Sequence, residues 1–235
     1  MKLDFRLLGP LAVSRDGAEL ALGSRKQRAL LARLALHVGE PVSVGALADE
    51  LATSRNAIQV YVSRLRALLD PPVVARAPAG YVLRVESDLI DARRFVELVS
   101  RARRAPNPAR ADLLGAALGL WRGRALADFA DDSYLRADRA RLEELRLAAV
   151  EARARAELEL GRHAELVPEL AALAAEHPLR EPLHALLMTA LYRVGRQADA
   201  LAVYRAARER LVNELGLEPA PSLRALERRI LTQRE

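Results

Sequence analysis

Between Ser54 and Leu69 the chain reads SRNAIQVYVSRLRALL. On a helix at 100° per residue, Asn56, Gln59, Val60 and Ser63 fall together, flanked by Arg55, Arg64 and Arg66. Ala57, Ile58, Tyr61, Val62, Leu65, Leu68 and Leu69 form the opposite, apolar arc. The stretch holds no acid before Asp70. A plain solvated face mixes Glu with Lys, whereas here uncharged amides stand between arginines. Asn and Gln match base edges, and Arg takes guanine or phosphate. The pattern suits the reading of a duplex, with Asn56, Gln59 and Ser63 on bases and Arg55, Arg64 and Arg66 on bases or phosphates. The bland alternative is a solvated helix face.

Other chemistry finds no residues. There is no cysteine, so thiolate metal sites and disulfides are excluded, in keeping with a reducing cytoplasm. His37, His163, His177 and His184 lack the spacing of a metal motif. Lys2 and Lys26 are the only lysines, and neither lies in a phosphate-binding glycine loop. No nucleophile motif is present. Asp128, Asp131 and Asp132 cluster near a helix start, where negative charge is favourable, and read as a solvated loop rather than catalytic carboxylates. The sequence implies no enzyme, no cofactor and no metal. No signal peptide or membrane span is visible, which places the protein in the cytoplasm, off the membrane. The net charge is +6, and residues 1–87 hold 12 basic against 8 acidic residues. That excess suits an acidic partner.

The elements around the reading stretch follow from local signals. Leu3–Leu8, Leu11–Arg15 and Ala18–Leu22 are short apolar runs broken by Gly9-Pro10 and Asp16-Gly17, which predicts a small antiparallel sheet. Ser24 and Gln27 form a capping box for a helix running to about Val38. Arg25, Lys26 and Arg28 crowd its first turn, where cations oppose the helix dipole. A phosphate nearby would relieve that conflict; otherwise they are three solvated charges. Pro41–Val44 is extended, and Ser43 caps a helix to about Leu51. Ala52-Thr53-Ser54 then turns into the reading helix, making a helix-turn-helix. Val73–Arg76 and Tyr81–Val85 form a hairpin around Pro78-Ala79-Gly80. Sheet, three helices and hairpin are the layout of a winged helix.

Beyond Glu86-Ser87-Asp88 the chain is helical, with predicted helices at 89–104, 109–122 and 132–160. Gly161-Arg162-His163-Ala164-Glu165 recurs as Gly195-Arg196-Gln197-Ala198-Asp199, 34 residues on, the period of tetratricopeptide repeats. Helices are expected at 162–177, 183–194, 196–215 and 222–231. Such surfaces bind partners, or else serve to prop up and dimerise the first half. Tyr192 and Tyr204 fit repeat cores better than ligand contacts.

LLGPLAV, GSRKQRALLARLAL, NAIQVYVSRLRALL and AGYVLRV resemble the DNA-binding domain of the Streptomyces antibiotic regulatory proteins. In the second half, Leu120-Trp121-Arg122-Gly123 with Ala125-Leu126-Ala127-Asp128 is similar to a signature of their bacterial transcriptional activator domain. The resemblance implies a mainly α chain with small β-sheets. An OmpR/PhoB-type winged helix would span residues 1–87 and a tetratricopeptide-like helical domain residues 88–235. It implies double-stranded DNA as partner, direct-repeat promoter sites, a homodimer on DNA, and activation of an antibiotic gene cluster. Arg76 on the wing would enter the minor groove. Relatives carry a longer, proline-containing loop between the second and third helices, implicated in touching RNA polymerase. Here Ala52-Thr53-Ser54 replaces it, so recruitment would fall to another surface, with Asp128, Asp131 and Asp132 as candidates. A repressor acting by occupancy, or a protein-interaction adaptor, are the competing readings.

Overall fold

A computed structural model describes residues 2–233. It is mainly helical with two small antiparallel sheets near the N-terminus. Contacts divide the chain into two compact units, Met1–Arg101 with Gly115–Leu147, and Ala102–Leu114 with Ala148–Glu235. Packing therefore does not divide at residue 87, where the order of motifs suggests a boundary. Among the described residues no helix is long and apolar enough to cross a membrane.

In the first unit, strands β1 (Leu3–Arg6), β2 (Ala12–Arg15) and β3 (Ala18–Glu19) form one sheet in that order. Asp16 and Gly17, at φ 50° and 88°, make the two-residue turn, whose left-handed positions favour Asp-Gly. Strand β1 is shorter than the apolar run Leu3–Leu8. The amides of Leu7 and Leu8 donate to the Asp91 carboxylate at 2.7 and 3.0 Å. Their carbonyls accept from the amides of Leu126 and Arg122. Both residues leave the ladder because long-range partners take their backbone groups.

Helices α1 (Arg25–Leu36), α2 (Val44–Glu50) and α3 (Arg55–Leu69) follow, capped by Ser24, Ser43 and Ser54, each accepting from the amide three residues on. Strand β4 (Val42–Ser43) pairs with β6 (Gly80–Leu83), and β6 pairs with β5 (Val74–Ala77), giving the order β4-β6-β5. Gly80 allows this junction, since a Cβ there would lie 1.9 Å from the Val42 carbonyl oxygen. Leu30, Leu31, Leu34, Leu47, Ile58, Leu65 and Leu69 are fully buried. Four members of the predicted arc of α3, Ile58, Val62, Leu65 and Leu69, are inward, and Ala57, Tyr61 and Leu68 are half-buried.

The later helices are α4 (Asp91–Ala102), α5 (Ala109–Leu118), α6 (Arg136–Glu159), α7 (His163–Glu176), α8 (Glu181–Arg193), α9 (Gln197–Leu215) and α10 (Pro221–Leu231). Helix α5 ends before the predicted Arg122, because the Arg122 amide is bonded to Leu8 instead. In the second unit Gly161 and Gly195 sit at φ 82° and 81°. Each ends one helix with the same bond pair: Gly161 to Leu158 and Arg162 to Glu157, then Gly195 to Tyr192 and Arg196 to Leu191. The 34-residue recurrence is thus a repeat of one helix stop. Tyr204 is buried and Tyr192 partly so in the core built by α7 to α10.

Candidate nucleic-acid interface

Helix α3 turns Arg55, Asn56, Gln59, Val60, Ser63 and Arg64 to solvent. The Ser54 hydroxyl fixes its start, accepting from Ala57 N at 3.1 Å. Its first turn has no acid. Among the described residues the side chains of Asn56, Gln59, Ser63 and Arg64 make no intramolecular hydrogen bond or ion pair. The face therefore keeps its donors and acceptors for an outside ligand. The turn before it is tight: Ala52 is left-handed at φ 44°, and Lys26 Nζ donates to its carbonyl at 2.8 Å. That turn projects no loop.

Arg66, predicted to touch bases or phosphates, is half-buried against the hairpin. Its Nε donates to the Val74 carbonyl at 2.7 Å, and its guanidinium lies 5.8 Å from the Tyr81 ring. Arg76 covers the same ring at 5.0 Å. Two arginines, one from α3 and one from the wing, thus hold Tyr81 between helix and hairpin. Arg66 is bound into that bracket, while Arg76 stays exposed on β5. The sequence reading missed Tyr81; an aromatic directly after the turn of an arginine-bearing hairpin was its only signal.

Two of the three cations in the first turn of α1 have anions inside the protein. Arg25 pairs with Asp132 at 2.8 Å and Arg28 with Asp128 at 3.1 Å, and both guanidinium groups lie within 6 Å of the Phe129 ring (5.8 and 5.9 Å). Asp128 also accepts from Leu11 N at 2.7 Å. These carboxylates relieve the clash with the helix dipole that a phosphate was expected to relieve. Arg25 and Arg28 thus each have a carboxylate partner within the first unit, while Lys26 is bonded only to the Ala52 carbonyl. The same pairs correct the reading of Asp128 and Asp132 as a solvated loop. Arg139 secures the segment by donating to the carbonyls of Phe129, Ala130 and Asp132.

Asp91 was not singled out by sequence. It is 1% exposed. Burial pushes its carboxyl above the usual range, against the backbone hydrogen bonds from Leu7, Leu8 and Ala92 and the charge of Arg122. His184 is buried with Nε2 2.9 Å from the Pro178 carbonyl, a structural partner. Among the described residues, no three His, Asp or Glu side chains gather as a metal site would require.

Comparison with known proteins adds a lineage to this geometry. Residues 90–231 match the Bacterial transcriptional activator domain. Regulatory protein DnrI of Streptomyces peucetius is 38% identical over 97% of this chain and 92% of its own length. Regulatory protein AfsR of Streptomyces coelicolor is 45% identical over 97% of the chain, which spans only 24% of that protein. The structure of Mycobacterium tuberculosis EmbR, solved with a low-affinity phosphopeptide, superposes with a TM-score of 0.96 at 40% identity, covering 100% of this chain and 66% of that one. The chain belongs to the Streptomyces antibiotic regulatory protein family, and carries its bacterial transcriptional activator domain over residues 90–231.

Proposed function

We propose that the protein is a sequence-specific DNA-binding transcriptional regulator, an activator of a secondary-metabolite gene cluster. The observation that carries this is the outer face of α3, where Asn56, Gln59, Ser63 and Arg64 stand exposed with no intramolecular partner among the described residues. Laid in a major groove, Asn56, Gln59 and Ser63 meet base edges, and Arg55 and Arg64 meet guanine or phosphate. Arg76, braced on Tyr81, serves the adjacent minor groove, whose narrow form concentrates negative potential. Arg66 serves as a bracket between helix and wing. Residues 1–87 carry this reading surface and residues 88–235 the helical activator region. Relatives named as regulators support the regulatory role. The family resemblance supports two protomers side by side on direct repeats. It also supports recruitment of RNA polymerase, though not through the short turn at Ala52. With Asp128 and Asp132 engaged by arginines, the recruiting surface is left to exposed Asp131 and the rest of the exposed helical part.

Gln59→Ala tests the base-reading role. A good bidentate base contact carries about 1–3 kcal/mol of discrimination. Binding selection on random DNA is expected to show preference flattened at one or two base pairs, with folding unchanged because Gln59 is exposed. An unaltered site preference would remove Gln59 from the reading surface. A protein-interaction adaptor would show no site preference in the parent protein either.

A further inference from the structure

Val60 is 47% exposed in the middle of the face that the preceding proposal assigns to DNA. Among the described residues of the first compact unit, it and Val96 on α4 are the large hydrophobics left open to solvent. A β-branched residue is a weak choice for a solvated helix position on both counts, helix propensity and hydration. Asn56 lies four residues before it, and Ser63 and Arg64 lie three and four after, so Val60 shares a stripe with them. When those polar groups reach base edges, Val60 is carried to the same depth between them. The floor of the major groove offers one apolar group at that depth, the 5-methyl of thymine.

Resting on the DNA-reading proposal, we infer that Val60 is a specificity-determining residue that packs against the 5-methyl group of a thymine within the binding site. Its neighbours bond their base edges by donors and acceptors. Val60 instead discriminates by shape and hydration, favouring thymine over cytosine, which presents only a C5 hydrogen there. Val60→Ala keeps the helix, because alanine is the better helix former and the site is exposed.

The test is a thymine-to-deoxyuridine scan of the selected binding site, with affinities measured for the full chain and for Val60→Ala. Each substitution deletes one methyl group and leaves base pairing intact. Burial of one methyl group corresponds to about a fourfold change in affinity. The wild type is expected to weaken about fourfold at one thymine of each half-site. Val60→Ala is expected to bind the thymine site about as weakly as the wild type binds the deoxyuridine site, with no further loss on removing the methyl. Retained sequence specificity with no sensitive thymine would overturn the assignment of Val60 and leave the reading face standing. So would a sensitive thymine that stays equally sensitive in Val60→Ala. A wild-type chain with no sequence preference would overturn both.

Discussion

Residues 1–87 expressed alone are expected not to fold, although they contain every element of the winged helix. The N-terminal sheet is completed from beyond that point. Leu7 and Leu8 are fully buried, and their amides end on Asp91. Their carbonyls, with that of Gly9, accept from Leu126, Arg122 and Ala127. Leu11 N donates to Asp128, Phe5 bridges to Ile90, and Phe129 lies against Arg25 and Arg28. Cutting at residue 87 returns these groups to water. Each of the buried side chains Phe5, Leu7 and Leu8 that the cut re-exposes costs about 1.5–3 kcal/mol. A domain's whole stability is about 5–15 kcal/mol. The fragment is expected to show collapsed amide dispersion by NMR, no cooperative melt and no specific DNA binding. A cooperative melt at the temperature of the full chain would show that the segment from Asp91 to Asp132 is dispensable to this unit. Roles of the helical region are therefore better dissected by surface substitutions in the full chain than by truncation.

Asp91→Ala is expected to cost about 4 kcal/mol in denaturant unfolding. The substitution leaves the Leu7 and Leu8 amides unpaired in a fully buried place, at about 1–3 kcal/mol each, and adds a small cavity. Asp91→Asn keeps one acceptor but points its NH2 group at the second amide, so about half that loss is expected. The pH dependence has a definite sign. Burial raises the folded-state carboxyl above its ordinary value of 3.8, so the folded protein holds this proton more tightly than the unfolded chain. The stabilising contribution is complete below that ordinary value and is lost as pH rises through the folded-state value. The gap between the wild type and Asp91→Asn is expected to narrow over that rise. A gap that widens would show that the two amides outweigh burial at this carboxylate.

The parts legible in the sequence are those set by neighbours a few residues apart. Ser24, Ser43 and Ser54 mark three helix starts, because a cap is a bond over three residues. The inward arc of α3 follows from helical period, and Gly161 and Gly195 mark equivalent helix ends because both need a left-handed backbone. What escaped reading is non-local. Asp132 lies 107 residues from Arg25, and Asp91 lies 84 from Leu7. In a linear reading the three cations of α1 have no acid nearby, so they look available to phosphate. The same distance conceals that the Leu120–Asp128 signature bonds its backbone to Leu7, Leu8 and Gly9, across the boundary that the order of motifs suggests at residue 87.

The carboxylates beside α1 have a consequence for ionic strength. A protein cation drives DNA binding entropically by displacing condensed counterions, and each phosphate neutralised on B-DNA contributes about −0.9 to the slope of log affinity against log salt. Arg25 and Arg28 carry their own fixed counter-charges in Asp132 and Asp128. They add almost nothing to that release. On the proposed reading, with Arg55, Arg64 and Arg76 as the arginines that contribute, these three are expected to give a slope of about −3 per protomer rather than the value near −5 that five arginines would give. Removing Asp132 by Asp132→Asn is then a gain on the DNA side, steepening the slope by freeing one arginine. On the proposed reading, the loop that completes the fold would thereby also hold down indiscriminate attraction to nucleic acid, leaving more of the discrimination to the amide-bearing face of α3.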